Sequence, residues 1–162
     1  MYKKDQYVVY KHDVCKIKNI KENKGNTYYV MTPIDDDSLI IDIPIDNKNG
    51  FLRDIIFKEN AINLIREIPK IKPVENINEK KLEEYYKEML KNNDYESLIK
   101  IIKTTYLRNE YRLKNKKKIN EKDNTYFELA EKYLHNELAI SLNMSLEEVK
   151  NYIFNIVSKI TS

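Results

Sequence analysis

The spacing of apolar residues changes once along this chain, near Gly50, and the change limits what each half can fold into. Before Gly50 the pattern repeats every two residues, as a half-buried strand requires. Tyr7–Tyr10 is a short β-branched and aromatic run. Val14, Lys16, Lys18 and Ile20 then alternate with Cys15, Ile17 and Asn19. Lys24, Gly25 and Asn26 make a hairpin turn, because Gly and Asn tolerate positive φ. Thr27–Thr32 returns as a strand closed by Pro33. Asp35–Ser38 is a polar turn, and Leu39–Ile43 is the next strand, closed by Pro44. Asp42, central in an apolar strand, is expected on an exposed face. Short strands joined by tight turns over so little chain predict a small SH3-like barrel.

Beyond Gly50 the spacing is helical. Ile62, Leu64, Ile65 and Ile68 mark a short closing helix, and Pro69 and Pro73 follow within five residues as a linker. Asn78 caps a helix to Lys91 with Leu82, Tyr85, Tyr86, Met89 and Leu90 on one face. Asn93 and Asp94 restart the chain into a helix whose apolar face runs from Leu98 through Ile101 and Ile102 to Tyr106. Asn120 with Asp123 opens a long helix through Phe127, Ala130, Leu134 and Leu138. Ser145 with Glu148 forms a capping box for the last helix, which carries Val149, Ile153, Ile156 and Val157. The predicted fold is α+β: a β-barrel module over 1–68, a linker over 69–77 and an all-α bundle over 78–162.

Several function classes lose support at this level. No run of 18 apolar residues exists, so no membrane-spanning helix is expected. The N-terminus lacks the apolar core of a signal peptide, and Cys15 has no internal partner, so a reducing, cytoplasmic setting is expected. With only Gly25 and Gly50, neither a phosphate-cradling loop nor a dinucleotide fingerprint can be built. His12, at a strand turn, and His135, on a helix among apolar neighbours, read as structural residues. Asp35–Asp37 lacks the spacing of a calcium loop. No catalytic residue, metal ligand or cofactor is expected, and the chain is predicted not to be an enzyme.

Charge is unevenly spread. Overall 29 Lys+Arg oppose 26 Asp+Glu, yet Leu98–Lys118 holds eight basic residues against Glu110 alone. These are Lys100, Lys103, Arg108, Arg112, Lys114, Lys116, Lys117 and Lys118. Such a helix end can follow a phosphate backbone without reading bases. It can equally complement the helix dipole and keep a loop soluble.

In chain order, Tyr7–His12, Gly25 with Tyr28–Met31, Ile41–Pro44, Gly50–Arg53, Asn93–Asp94, Tyr106–Arg108, Ala130–Ala139 and Ser145–Glu148 resemble the CarD/CdnL family of bacterial RNA polymerase-binding transcription regulators. The first half is also similar to the polymerase-interacting module of transcription-repair coupling factor. The likeness covers nearly the whole chain; each motif is short, and their collinearity carries it. It implies a Tudor-like barrel that adds an edge strand to the polymerase β subunit, with contacts at Asn23, Asn26, Tyr28, Tyr29, Ile41 and Asp42. It also implies a helical module on promoter DNA at the upstream edge of the transcription bubble, bound without sequence specificity, which tunes open-complex stability.

Two departures stand out. The family places a tryptophan at the start of the first C-terminal helix, where it wedges into the minor groove. This chain has no Trp, and Glu79 occupies that position. Lys80, Lys81 and Lys87, with Lys114, Lys116, Lys117 and Lys118, are left as phosphate contacts. Asp42 stands where relatives often carry arginine. The competing expectation is a protein–protein adaptor on polymerase that never touches DNA. A small-molecule sensor or enzyme with a pocket between the modules has only the 13 tyrosines to support it. The two-proline linker also admits a domain-swapped homodimer.

Overall fold

The protein is described by a computed structural model covering residues 1–92 and 94–161, with side chains described to Val157. Asn93, expected to help restart the chain and one of the residues carrying the resemblance, lies outside the described residues. The fold is α+β. A five-stranded antiparallel sheet is followed by five helices, and the contacts divide the chain into Met1–Ile56 and Phe57–Ser162.

In the first unit β1 (Tyr7–Tyr10), β2 (Asp13–Asn23), β3 (Asn26–Pro33), β4 (Ile41–Pro44) and β5 (Leu52–Asp54) lie in the order β4-β3-β2-β1-β5. The sheet is open, with β4 and β5 as its edges. Both tight hairpins use two-residue turns with positive φ at each central position: Lys11 and His12 at 48° and 74°, Lys24 and Gly25 at 51° and 80°. That geometry matches the twist of the flanking strands. The strand expected from Leu39 begins only at Ile41, and Leu39 and Ile40 are exposed.

The simple alternation predicted for β2 does not survive in three dimensions. Ile17 pairs with Met31, whereas Asn19 pairs with Val30, so a bulge at Lys18 shifts the register. One inserted residue moves every following side chain to the opposite face. Ile20 therefore sits opposite Tyr29 and packs on the core with Ile17, although strict alternation puts them on opposite faces. The core gathers Val8, Cys15, Ile17, Tyr29, Met31 and Leu52. β5 was not foreseen, since three residues are too few to display a period.

The second unit holds α1 (Lys58–Glu67), α2 (Leu82–Lys91), α3 (Tyr95–Lys114), α4 (Glu121–Leu142) and α5 (Leu146–Thr161). α1 packs on α4 and α5 and buries Ala61 and Ile65, so it is part of the helical assembly. The proline segment after it is fastened to α3. Lys103 donates from Nζ to the carbonyls of Ile68 and Ile71, and Thr104 Oγ1 accepts from the Val74 amide at 2.9 Å.

The helix starts follow local chemistry. Asp94 accepts from the Ser97 amide at 2.7 Å and Asn120 from the Asp123 amide at 3.0 Å. Ser145 and Glu148 exchange backbone and side-chain bonds at 3.2 and 3.1 Å, completing the predicted capping box. Asn78 caps a 3-10 turn, Glu79–Lys81, that leads directly into α2. The α2 face buries Leu82, Tyr86 and Met89. Tyr85, expected beside them, is exposed, as is Tyr106 on α3. No helix among the described residues is long and apolar enough to cross a membrane.

Candidate functional sites

Two surfaces stand apart from the cores. The first is the β4 edge. Ile45 donates its amide to the Thr27 carbonyl at 3.1 Å, which makes 45 and 27 a hydrogen-bonded pair. In an antiparallel ladder such pairs alternate, so Ile43 and Ile41 also bond inward to β3. The backbone groups of Asp42 and the Pro44 carbonyl are thereby left on the open side. Pro44 has no N–H, so Asp42 supplies the donor of this short edge. The Asp42 side chain is exposed, as its pattern predicted, and pairs with Lys21 at 2.5 Å across β3. Exposed Leu39 and Ile40 continue the edge in apolar surface.

The six residues implied for this surface are not equivalent. Asn23 and Asn26 face each other at the tip of the β2–β3 hairpin. Tyr28 is half-buried and pairs with Pro44, beside the edge. Ile41 packs against the core from β4. Tyr29 is 2% exposed, and its hydroxyl accepts from the Tyr2 amide at 3.0 Å, so its ring is a core element.

The second surface surrounds the start of α2 and the end of α3. Its centre is Asp123, only 1% exposed, whose carboxylate accepts from Tyr86 Oη at 3.0 Å and from Arg108 Nε at 2.9 Å. Arg108 also donates from Nη2 to Glu79 Oε1 at 3.1 Å. One guanidinium thus ties the turn before α2 to α3 and to the first turn of α4. Partial burial disfavours its charge, but the bond and charge of Asp123 outweigh this, and its pKa is raised. Burial, reinforced by the Asp123 charge, raises the Tyr86 phenol well above its usual range.

Glu79 occupies the position where an acid would repel phosphate, yet its carboxylate is engaged by Arg108. Two shallow grooves meet at this pair. One, of about 360 Å³, is lined by Glu79, Leu107, Arg108, Tyr111, Arg112 and Lys117. The other includes Lys80 and Lys122. Lys117 arrives there through the C-cap of α3. Its amide donates to the Arg112 carbonyl at 2.8 Å, and the Lys116 amide donates to Leu113 at 3.1 Å. This is a Schellman motif whose left-handed position, normally glycine, is held by Lys116 at φ 56°.

Among the lysines named from the sequence, Lys80 and Lys117 border these grooves. Lys87 pairs with Glu83 at 3.7 Å and Lys114 with Glu110 at 3.0 Å along their own helices. No ion pair among the described residues involves Lys80, Lys81, Lys116, Lys117 or Lys118. Lys103, counted in the basic run, is bound to carbonyls, and burial lowers its pKa. Tyr111 and Leu107, 67% and 48% exposed, were missed because sequence spacing cannot tell an unpartnered helix face from a packed one. Asp123 was visible only as a cap; its second role requires residues 15 and 37 positions away.

No group of three or more His, Cys, Asp or Glu side chains able to hold a metal is present among the described residues. No protein-family model matches the chain, and no curated protein matches it in sequence.

Proposed function

We propose that the chain is a non-catalytic transcription regulator of the CarD/CdnL kind. In this reading the sheet unit is a Tudor-like module that adds its β4 edge to the RNA polymerase β subunit. The helical unit then acts as a compact bundle against promoter DNA at the upstream edge of the bubble. The observation that supports it best is the open β4 edge, where Asp42 offers an amide and a carbonyl next to exposed Leu39 and Ile40. Strand addition draws its affinity from such main-chain groups.

The test is retention of core polymerase on the immobilised full chain. Asp42→Pro removes the outward amide while leaving the inward bonds of Ile41 and Ile43 in place, and proline is tolerated at an edge. Asp42→Asn controls for loss of the Lys21 pair, a surface interaction worth under about 1 kcal/mol. Polymerase retention is expected to fall for Asp42→Pro and to persist for Asp42→Asn. Retention unchanged by Asp42→Pro would remove strand addition at β4, and an unaltered open-complex lifetime would remove the regulatory role.

The adaptor reading draws on a different observation: the chain holds no tryptophan to wedge between bases. Salt-independent behaviour toward forked promoter DNA, with polymerase binding intact, would favour it.

A further inference from the structure

The α3 C-terminus carries an arrangement that duplex phosphate binding does not require. Leu107 and Tyr111 are four residues apart, as are Arg108 and Arg112, so the two pairs run side by side along one strip of helix. Leu107 and Tyr111 are exposed, while Arg108 is held from both ends by Asp123 and Glu79. The Tyr111 carbonyl accepts from the Asn115 side chain at 2.8 Å and its amide at 3.1 Å. The helix end that bears the ring is therefore braced, and the Schellman turn sets Lys117 over the same groove. Arg112 and Lys117 have no ion pair among the described residues, and the one acid in the groove is already engaged by Arg108.

An exposed aromatic ring on a braced helix end, flanked by unneutralised cations, is complementary to an unpaired base with its phosphates. A groove of about 360 Å³ lies at the lower end of small-ligand sites, enough for a single nucleotide unit. We infer that this groove holds one unpaired nucleotide of a single strand, its base stacked on Tyr111 over Leu107 and its phosphates on Arg112 and Lys117. The inference deepens the nucleic-acid half of the proposed function and is independent of the polymerase half.

Fluorescein-labelled oligo-dT is titrated with the full chain and followed by anisotropy, with oligo-U, a blunt duplex and poly-glutamate as competitors. Stacking contributions predict that Tyr111→Ala weakens binding about 5- to 150-fold, whereas Tyr111→Phe keeps it. Arg112→Ala with Lys117→Ala is expected to reduce the slope of log affinity against log salt by about 1.4, from two single-strand phosphate contacts. Competition by oligo-U as well as by oligo-dT would show that base and phosphate alone are read; selective competition by oligo-dT would restrict the site to DNA. Either result supports the inference. No measurable binding, an unaffected Tyr111→Ala variant, or displacement as effective by duplex or poly-glutamate as by unlabelled oligo-dT would overturn it. Polymerase retention measured on the same variants separates this failure from failure of the β4 reading.

Discussion

Replacing Asp123 by alanine removes the acceptor shared by Tyr86 and Arg108 while leaving the α4 N-cap, which uses the Asp123 amide, in place. The Tyr86 side chain is 1% exposed, so its hydroxyl would lose its acceptor where water has little access. An unsatisfied buried polar group costs about 1–3 kcal/mol. Breaking a buried ion pair from one side costs about 3–5 kcal/mol. Arg108 is partly solvated and keeps Glu79, which places the sum near the lower bound, about 3 kcal/mol. Tyr86→Phe removes one hydrogen bond to a charged group and is expected to cost about 1.5 kcal/mol. The double variant should be less destabilised than the sum of the two, by about 1–2 kcal/mol, because both act on one network. Urea titration followed by far-UV circular dichroism reads these differences from the helical unit. An Asp123→Ala cost below about 1 kcal/mol, or additivity within about 0.3 kcal/mol, would refute the view that this network joins α2, α3 and α4.

Further outcomes follow from the same geometry. The Tyr86 phenol has a raised pKa in the fold, so its contribution is complete below the ordinary value of 10.0 and is lost as pH climbs beyond it. Alkaline destabilisation above about pH 10 should accordingly be blunted in Tyr86→Phe, as followed by Tm against pH. Lys116→Gly relieves a left-handed residue with a Cβ and should stabilise the helical unit by up to about 1 kcal/mol in the same urea titration. A cost instead would mean that Lys116 has side-chain interactions that hold the turn. Burial pushes the Cys15 thiol up to about 12, so native protein at pH 8 should react with a disulfide reagent only at the rate of unfolding. Rapid labelling before any loss of circular dichroism would contradict that burial.

Local chemistry made much of the fold legible. Asp94, Asn120 and the Ser145–Glu148 box cap helices with side chains three residues from the amides they meet. The Lys24–Gly25 turn and the exposed Asp42 followed from backbone freedom and period two. What escaped was non-local. The bulge at Lys18 is defined only by its partners on β3, and it reverses the face on which Ile20 falls. β5 exists because β1 offers it an edge to pair with.

The candidate surfaces divide in the same way. The sequence alone determined where apolar period switches, where helices begin, and that basic residues crowd the end of α3, because those properties rest on neighbours within a few positions. The tertiary structure decided that Tyr29 is core, that Glu79 is neutralised by Arg108, and that Tyr111 stands exposed beside Arg112 and Lys117. These depend on which helix faces find partners, and spacing along one helix cannot express that.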